Sequence, residues 1–177
     1  QSDFPSGPSR SPLQYQLLGG REQIVSCTDG GLVEILPLEK APLQLRLPVG
    51  NNLGVRMIYE DFQGDGRKDY LVSSGHTVAL HVYTDRGLIR QFETSFPQPV
   101  DRVFRVSGSN KNEGSFGVLL DNNAQIYLHS EKGETLPNFP LAGNTPFIIT
   151  DLFQAGEPHL IVGYQDEILA YRMPAPQ

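Results

Sequence analysis

Nine residues hold the densest chemistry in the chain: Asp61-Phe62-Gln63-Gly64-Asp65-Gly66-Arg67-Lys68-Asp69. Carboxylates stand at the first, fifth and ninth positions, the Gln63 amide at the third, and Arg67 offers its backbone carbonyl at the seventh. Alternate residues of a tight loop point to one side, so these oxygens can converge. A hard cation such as Ca²⁺ takes six to eight oxygen ligands, a number this set approaches with water supplying the rest. Gly64 and Gly66 permit the sharp backbone path. Three carboxylates this close repel without a cation, although Lys68 offsets part of the charge. The loop is not an EF-hand, because its twelfth position is Val72 where a bidentate Glu is needed, and an apolar run follows directly. A single calcium site and a metal-free polar turn before a strand both fit the residues.

Other catalytic constellations are sparse. His76, His81, His129 and His159 are scattered, with no pair at metal-ligand spacing. No nucleophile-elbow motif accompanies the serines. Asp85 and Glu93 could imitate a glycosidase couple, but solvated charge accounts for them better. Tyr83, Tyr127 and Tyr171 recur at a constant spacing, as residues packing between repeats or lining a ligand face would. The one cysteine, Cys27, excludes an internal disulfide and sits in an apolar run, as a buried thiol would. No Gly-rich phosphate loop precedes a helix. A net charge of −6 without a Lys/Arg run makes nucleic acid an unexpected partner. No window approaches the roughly 18 apolar residues of a membrane span. The chain starts at Gln1 without a Met or signal peptide, as a processed secreted protein or an excised piece would.

The elements that must position the acidic loop are legible as a repeat. Four short apolar segments end in a turn: QIVSCTDGG, DYLVSSGH, SFGVLLDNN and HLIVGYQD. Their anchors, Ile24, Tyr70, Phe116 and Leu160, lie 46, 46 and 44 residues apart. A turn residue follows each anchor by five positions: Asp29, Gly75, Asp121, Gln165. A second strand follows each turn (LVEILPL, TVALHVY, AQIYLHS, EILAYRM), then a third extended segment closing at Leu47-Pro48, Phe96-Pro97 or Phe139-Pro140. LQYQLL, GVRMIYE, DRVFRVS and FIITDLF precede the anchors. No stretch carries a helical period, and Gly and Pro make up about 18 % of the chain against a usual 12 %. Four strands in about 45 residues, repeated, mark β-propeller blades, since one such sheet cannot bury its faces alone. A β-sandwich offers no reason for the register.

The expected organisation is all-β: a lead-in over 1–12, flexible by its Ser, Pro and Gly content, and a β-propeller repeat domain over 13–177. Its repeats run approximately 13–52, 53–99, 100–144 and 145–177. Too few residues follow the last copy for an outer strand. Either the N-terminal segment supplies that strand and closes a small four-bladed ring, or the last blade has three strands, or the chain is a fragment of a larger propeller. An open arc would self-associate through its uncovered faces.

Placed just before a blade strand, Asp61-x-Gln63-Gly64-Asp65-Gly66-x-x-Asp69 resembles the calcium loop of FG-GAP/VCBS repeats, the blade type of integrin α-subunits. That family favours Asn or Asp where this chain has Gln63. The resemblance implies one calcium held by Asp61, Gln63, Asp65, Asp69 and the Arg67 carbonyl, and an extracellular, periplasmic or cell-surface setting. The fourth copy carries Phe153 and Ala155 at ligand positions, so no ion is expected there. The implied function is non-catalytic: a binding or scaffold domain recognising protein or carbohydrate on a propeller face. The alternative is a polysaccharide hydrolase or lyase with its site in the central channel, where GVRMIYE and FIITDLF supply only Glu60 and Asp151 as acids.

Overall fold

The computed structural model describes residues 11–18, 21–37, 43–49, 54–106, 114–120 and 124–173. Among them every regular element is a strand. The first sheet holds β1 (Gln14–Leu18), β2 (Arg21–Cys27), β3 (Leu32–Pro37) and β4 (Leu43–Arg46), in that spatial order. The second holds β5 (Arg56–Glu60), β6 (Asp69–Ser74), β7 (Thr77–Thr84) and β8 (Gly87–Ser95). The third holds β9 (Arg102–Arg105), β10 (Phe116–Leu120), β11 (Gln125–His129) and β12 (Leu141–Ala142). The fourth holds β13 (Ile148–Thr150), β14 (His159–Tyr164) and β15 (Glu167–Arg172). Each sheet is an antiparallel meander formed by one repeat. The chain is a β-propeller of four blades.

The anchors occupy equivalent ladder positions. Ile24 lies between Tyr15 and Leu36, Tyr70 between Tyr59 and His81, Phe116 between Arg105 and His129, and Leu160 between Ile149 and Tyr171. Side chains alternate across a strand, so each anchor row faces one neighbour and the row beside it faces the other. Val25, Cys27, Val33 and Ile35 of the first blade pack on Met57, Tyr59, Tyr70 and Val72 of the second. Leu71, Val78 and Leu80 of the second meet Val103, Phe116, Val118 and Leu120 of the third. Leu119, Ile126 and Leu128 of the third meet Phe147, Leu160 and Val162 of the fourth. Each fully buried Leu or Phe in these layers contributes about 1.5–3 kcal/mol of transfer free energy. Among the described residues no cluster joins the fourth blade back to the first.

Side-chain amides hold the first two blades together at their inner strands. The exposed edge of β5 offers its amides and carbonyls to β1, which answers without pairing as a strand. Ser11 Oγ accepts from the Met57 amide at 2.9 Å, and Gln14 Oε1 from the Tyr59 amide at 2.9 Å. Gln14 Nε2 and Gln16 Nε2 donate to the Met57 and Tyr59 carbonyls at 3.0 Å. The buried Ser11 shows that the docked chain begins before residue 13. Residues 1–10, the remainder of the expected lead-in, lie outside the described residues.

The fourth blade has three strands among the described residues, one of the arrangements left open by the sequence, and β1 serves as the inner strand of its own blade, the place expected of LQYQLL. Two details differ from the sequence pattern. In the third repeat Pro140 precedes the outer strand β12, where the other copies have the proline after it. The constant spacing of Tyr83, Tyr127 and Tyr171 does not mark one site. Tyr127 pairs with Val118 and Tyr171 with Leu160, but Tyr83 lies beyond β6 and pairs only with Leu88 of β8. Ladder partners of the anchors are His81, His129 and Tyr171 instead. Tyr83 is exposed, whereas Tyr127 and Tyr171 pack between blades, Tyr171 donating its hydroxyl to the Ala142 carbonyl at 3.1 Å.

Candidate functional site

The acidic loop joins β5 to β6 at one end of the second blade. Asp61 draws the turn together: Oδ1 accepts from the Gly64 amide at 2.6 Å and the Asp65 amide at 3.2 Å, and Oδ2 from the Gly66 amide at 2.9 Å. Asp65 Oδ1 accepts from the Arg67 amide at 2.8 Å. Asp69, buried at the start of β6, accepts from the Phe62 and Gln63 amides on Oδ2. Gly64 and Gly66 have φ of 72° and 83°, the left-handed region that suits glycine. Burial raises the Asp69 carboxyl above its ordinary value against the pull of those two amides, and the charges on Asp65 and Asp61 push the same way. The loop therefore brings its three carboxylates within electrostatic reach of one another. Gln63 and the Arg67 residue lie in the same exposed turn. Among the described residues no three His, Cys, Asp or Glu already converge as a metal-holding group, so an ion here would require side-chain rotation.

The fourth blade builds the same turn from a poorer set of donors. Asp151 accepts from the Ala155 amide at 3.1 Å and the Gly156 amide at 2.7 Å, and the Gly156 bond foremost holds its carboxyl below the ordinary value. Gln154 and Gly156, with φ of 54° and 78°, stand where the second blade has Gly64 and Gly66. Phe153 fills the position of Gln63 and makes an edge contact with the His159 ring at 5.1 Å. One aspartate and two left-handed residues thus suffice for the loop's shape.

A second constellation lies on the inner strands. Pro12, Gln14, Arg56, Met57, Ile58, Glu60 and the run Arg102–Arg105 line a cavity of about 540 Å³ where β1, β5 and β9 come together. Arg56 and Arg102 occupy equivalent positions on successive blades, 46 residues apart. Arg56 pairs with Asp101 at 3.2 Å. Arg105 pairs with Glu60 at 3.2 Å, donates to the Asp61 carbonyl at 3.1 Å and stands 5.9 Å over the Phe62 ring. Lys68 reaches Glu60 at 3.9 Å. Arg102 is exposed and makes no ion pair among the described residues. Three arginines and one glutamate therefore line the cavity of a chain whose overall charge is −6. Arg105 also fastens this cavity to the acidic loop, so the two sites share a wall.

The remaining candidates do no evident chemistry. Burial and then the charge of Asp29 push the Cys27 thiol up to about 12, which keeps it protonated and unreactive. His81 and His129 are buried inside blades, His129 stacked 5.0 Å from Phe116. The four histidines are not brought together, and Asp85 and Glu93 do not converge either: Glu93 pairs with Arg90. Of the channel acids expected from sequence, Glu60 lines the cavity and Asp151 caps its own turn.

With this geometry in hand, likeness to solved structures is informative about fold. BBS1N, solved in complex with ARL6DN, superposes with a TM-score of 0.61 at 12 % identity over 96 % of this chain. A streptogramin B lyase gives 0.53 at 14 %, and the virginiamycin B lyase of Staphylococcus aureus 0.51 at 13 %. All three are propeller-like. The chain spans 56–57 % of the length of these proteins. No family model matches the chain, and neither does any curated protein. No helix among the described residues is long and apolar enough to cross a membrane.

Proposed function

We propose that this propeller is a non-catalytic recognition module whose inner cavity takes an acidic segment of a partner protein. The observation that carries this reading is the set Arg56, Arg102 and Arg105 around a cavity of about 540 Å³, with Arg102 uncommitted. A guanidinium presents a planar fork of donors that matches a carboxylate in two-point contact. Arg56 and Arg105 are oriented by their pairs with Asp101 and Glu60, which leaves Arg102 as the guanidinium open to a partner's carboxylate. The one carboxylate lining the cavity, Glu60, is tied to Arg105 and Lys68, which leaves no free acid–base pair for glycoside cleavage among the lining residues. That BBS1N is known in a complex with another protein fits a protein partner. An acidic glycan, bound or cleaved, is the competing reading.

Calorimetric titration with a glutamate-rich peptide and with a uronate oligosaccharide tests the proposal. The peptide should bind with an affinity that falls as salt rises. Arg102→Ala should weaken it by about 1.5–3 kcal/mol, the value of a charge-assisted hydrogen bond. Absence of peptide binding overturns the reading, and turnover of the oligosaccharide replaces it with the enzymatic one.

The acidic loop carries a second proposal, that one calcium ion pins it in an extracytoplasmic setting. Support comes from the FG-GAP/VCBS-like spacing and from the crowding of Asp61, Asp65 and Asp69 in one turn, where burial foremost, and then the charges of Asp65 and Asp61, raise the Asp69 carboxyl. An ion held only by the folded state raises the melting temperature by mass action. Melting in millimolar calcium should therefore exceed melting in EDTA, and Asp65→Asn should erase the difference. Equal midpoints in both buffers dispose of the ion.

A further inference from the structure

β9 keeps an open edge beside the inner cavity, although its blade has a neighbour on each side. Where the β9–β10 ladder begins, the Val106 amide donates to the Ser115 carbonyl at 3.1 Å. Hydrogen-bonded pairs alternate along an antiparallel ladder, so Phe104 and Arg102 exchange bonds with Gly117 and Leu119. Val103 and Arg105 then turn their amides and carbonyls away from β10, and both residues line the cavity. Met57 and Tyr59 hold the same two places on β5. There the edge is answered: Ser11 and Gln14 accept from the two amides, and Gln14 and Gln16 donate to the two carbonyls. One blade on, the ladder places of Gln14 and Gln16 belong to Ile58 and Glu60. Ile58 has no polar side-chain atom, and an ionised carboxylate cannot donate to a carbonyl. Glu60 is in any case taken by Arg105 and Lys68. Among the described residues nothing bonds the outward main chain of Val103 or Arg105.

We propose that the acidic segment enters the cavity as an extended strand and pairs with the inner edge of β9. This deepens the acidic-partner reading and rests on it. A row of unpaired amides and carbonyls is a template for a further strand, whose main chain supplies affinity and whose side chains supply selection. Directly opposed residues on paired strands bring their Cβ atoms to about 5 Å. A carboxylate opposite Arg102 therefore meets the lining guanidinium that has no ion pair among the described residues. A uronate chain offers carboxylates but no alternating amides and carbonyls, so this edge selects a peptide over a glycan.

Two measurements with glutamate-rich peptides provide the test. Calorimetry compares the unmodified peptide with one N-methylated at every second residue and one N-methylated throughout. Alternate methylation leaves one peptide edge intact and should keep the affinity within about threefold, whereas full methylation removes both edges and should weaken binding by about tenfold or more. In residue-resolved hydrogen exchange, saturating unmodified peptide should slow the Val103 and Arg105 amides and leave Phe104, already bonded within its blade, unchanged. A fully methylated peptide that binds as well as the unmodified one overturns strand pairing and leaves the acidic-partner reading standing. Failure of the unmodified peptide to bind overturns both. Val103 and Arg105 amides that stay fast with peptide bound overturn the pairing, as do amides already as slow as Phe104 in the free protein, because that edge is then covered.

Discussion

Single residues carry two kinds of tension in this protein, buried titratable groups and crowded carboxylates. His81 is 2 % exposed, and no protein group hydrogen bonds either ring nitrogen. Burial lowers its pKa below 6.5, the Arg90 charge adds to that, and Glu93 opposes it. His129 shifts the same way by burial, opposed by the Gly133 carbonyl. A histidine whose folded pKa lies below its unfolded value contributes stability that is full above the unfolded pKa and lost as pH falls through the folded one. The midpoint of urea unfolding should therefore drop between pH 6.5 and the acid side, and His81→Leu should flatten that drop while costing little at pH 8. An unchanged slope in the variant removes His81 from the account. Asp69 behaves oppositely: its raised pKa means that its stabilising share is present in acid and lost as pH rises. The carboxylates of the acidic loop were legible from composition and spacing, whereas the guanidinium cluster was not. Arg56 and Arg102 do stand one repeat apart, but a register built on apolar anchors gave no reason to compare the polar residues lying between them.

At the level of strands and loops, the repeat was readable because blade packing imposes a period on the side chains. Every blade needs an apolar row toward each neighbour, and the anchors Ile24, Tyr70, Phe116 and Leu160 record one of those rows. Spacing alone misled where strand lengths differ. β7 extends three residues beyond the pairing of β6, with a register shift between Leu80 and His81 in its pairing to β8, so Tyr83 falls off the row that the 44-residue spacing suggests. Outer strands were the least legible, since β12 is only two residues long and carries little pattern. Inside the ladders, close approach sets tight limits. A Cβ on Gly117 would stand 2.3 Å from the Phe104 ring, which is itself held edge-on to Phe147 at 4.9 Å. Gly117→Ala must displace that ring at the interface of the third and fourth blades, and should destabilise by about 1–3 kcal/mol, the usual cost of overpacking. Chemical denaturation measures it, and a neutral result means the Phe104 ring has room to move. The turn in the fourth blade invites the opposite change. Gln154 adopts a φ of 54° where the second blade uses glycine, so Gln154→Gly should gain stability, up to about 1 kcal/mol.

For the molecule as a whole, stability follows from how many faces each sheet has covered. Among the described residues the second and third blades are packed on both sides, and the first and fourth each pack on one neighbour. Linear stacks of this kind take their stability from nearest-neighbour interfaces. Local opening should accordingly be cheapest at the ends. In native-state hydrogen exchange, amides of β6, β7 and β10 should be protected more than those of β14 and β15. A tenfold difference corresponds to about 1.4 kcal/mol. Uniform protection contradicts this: the four sheets then open as one unit, and the interfaces are not separable.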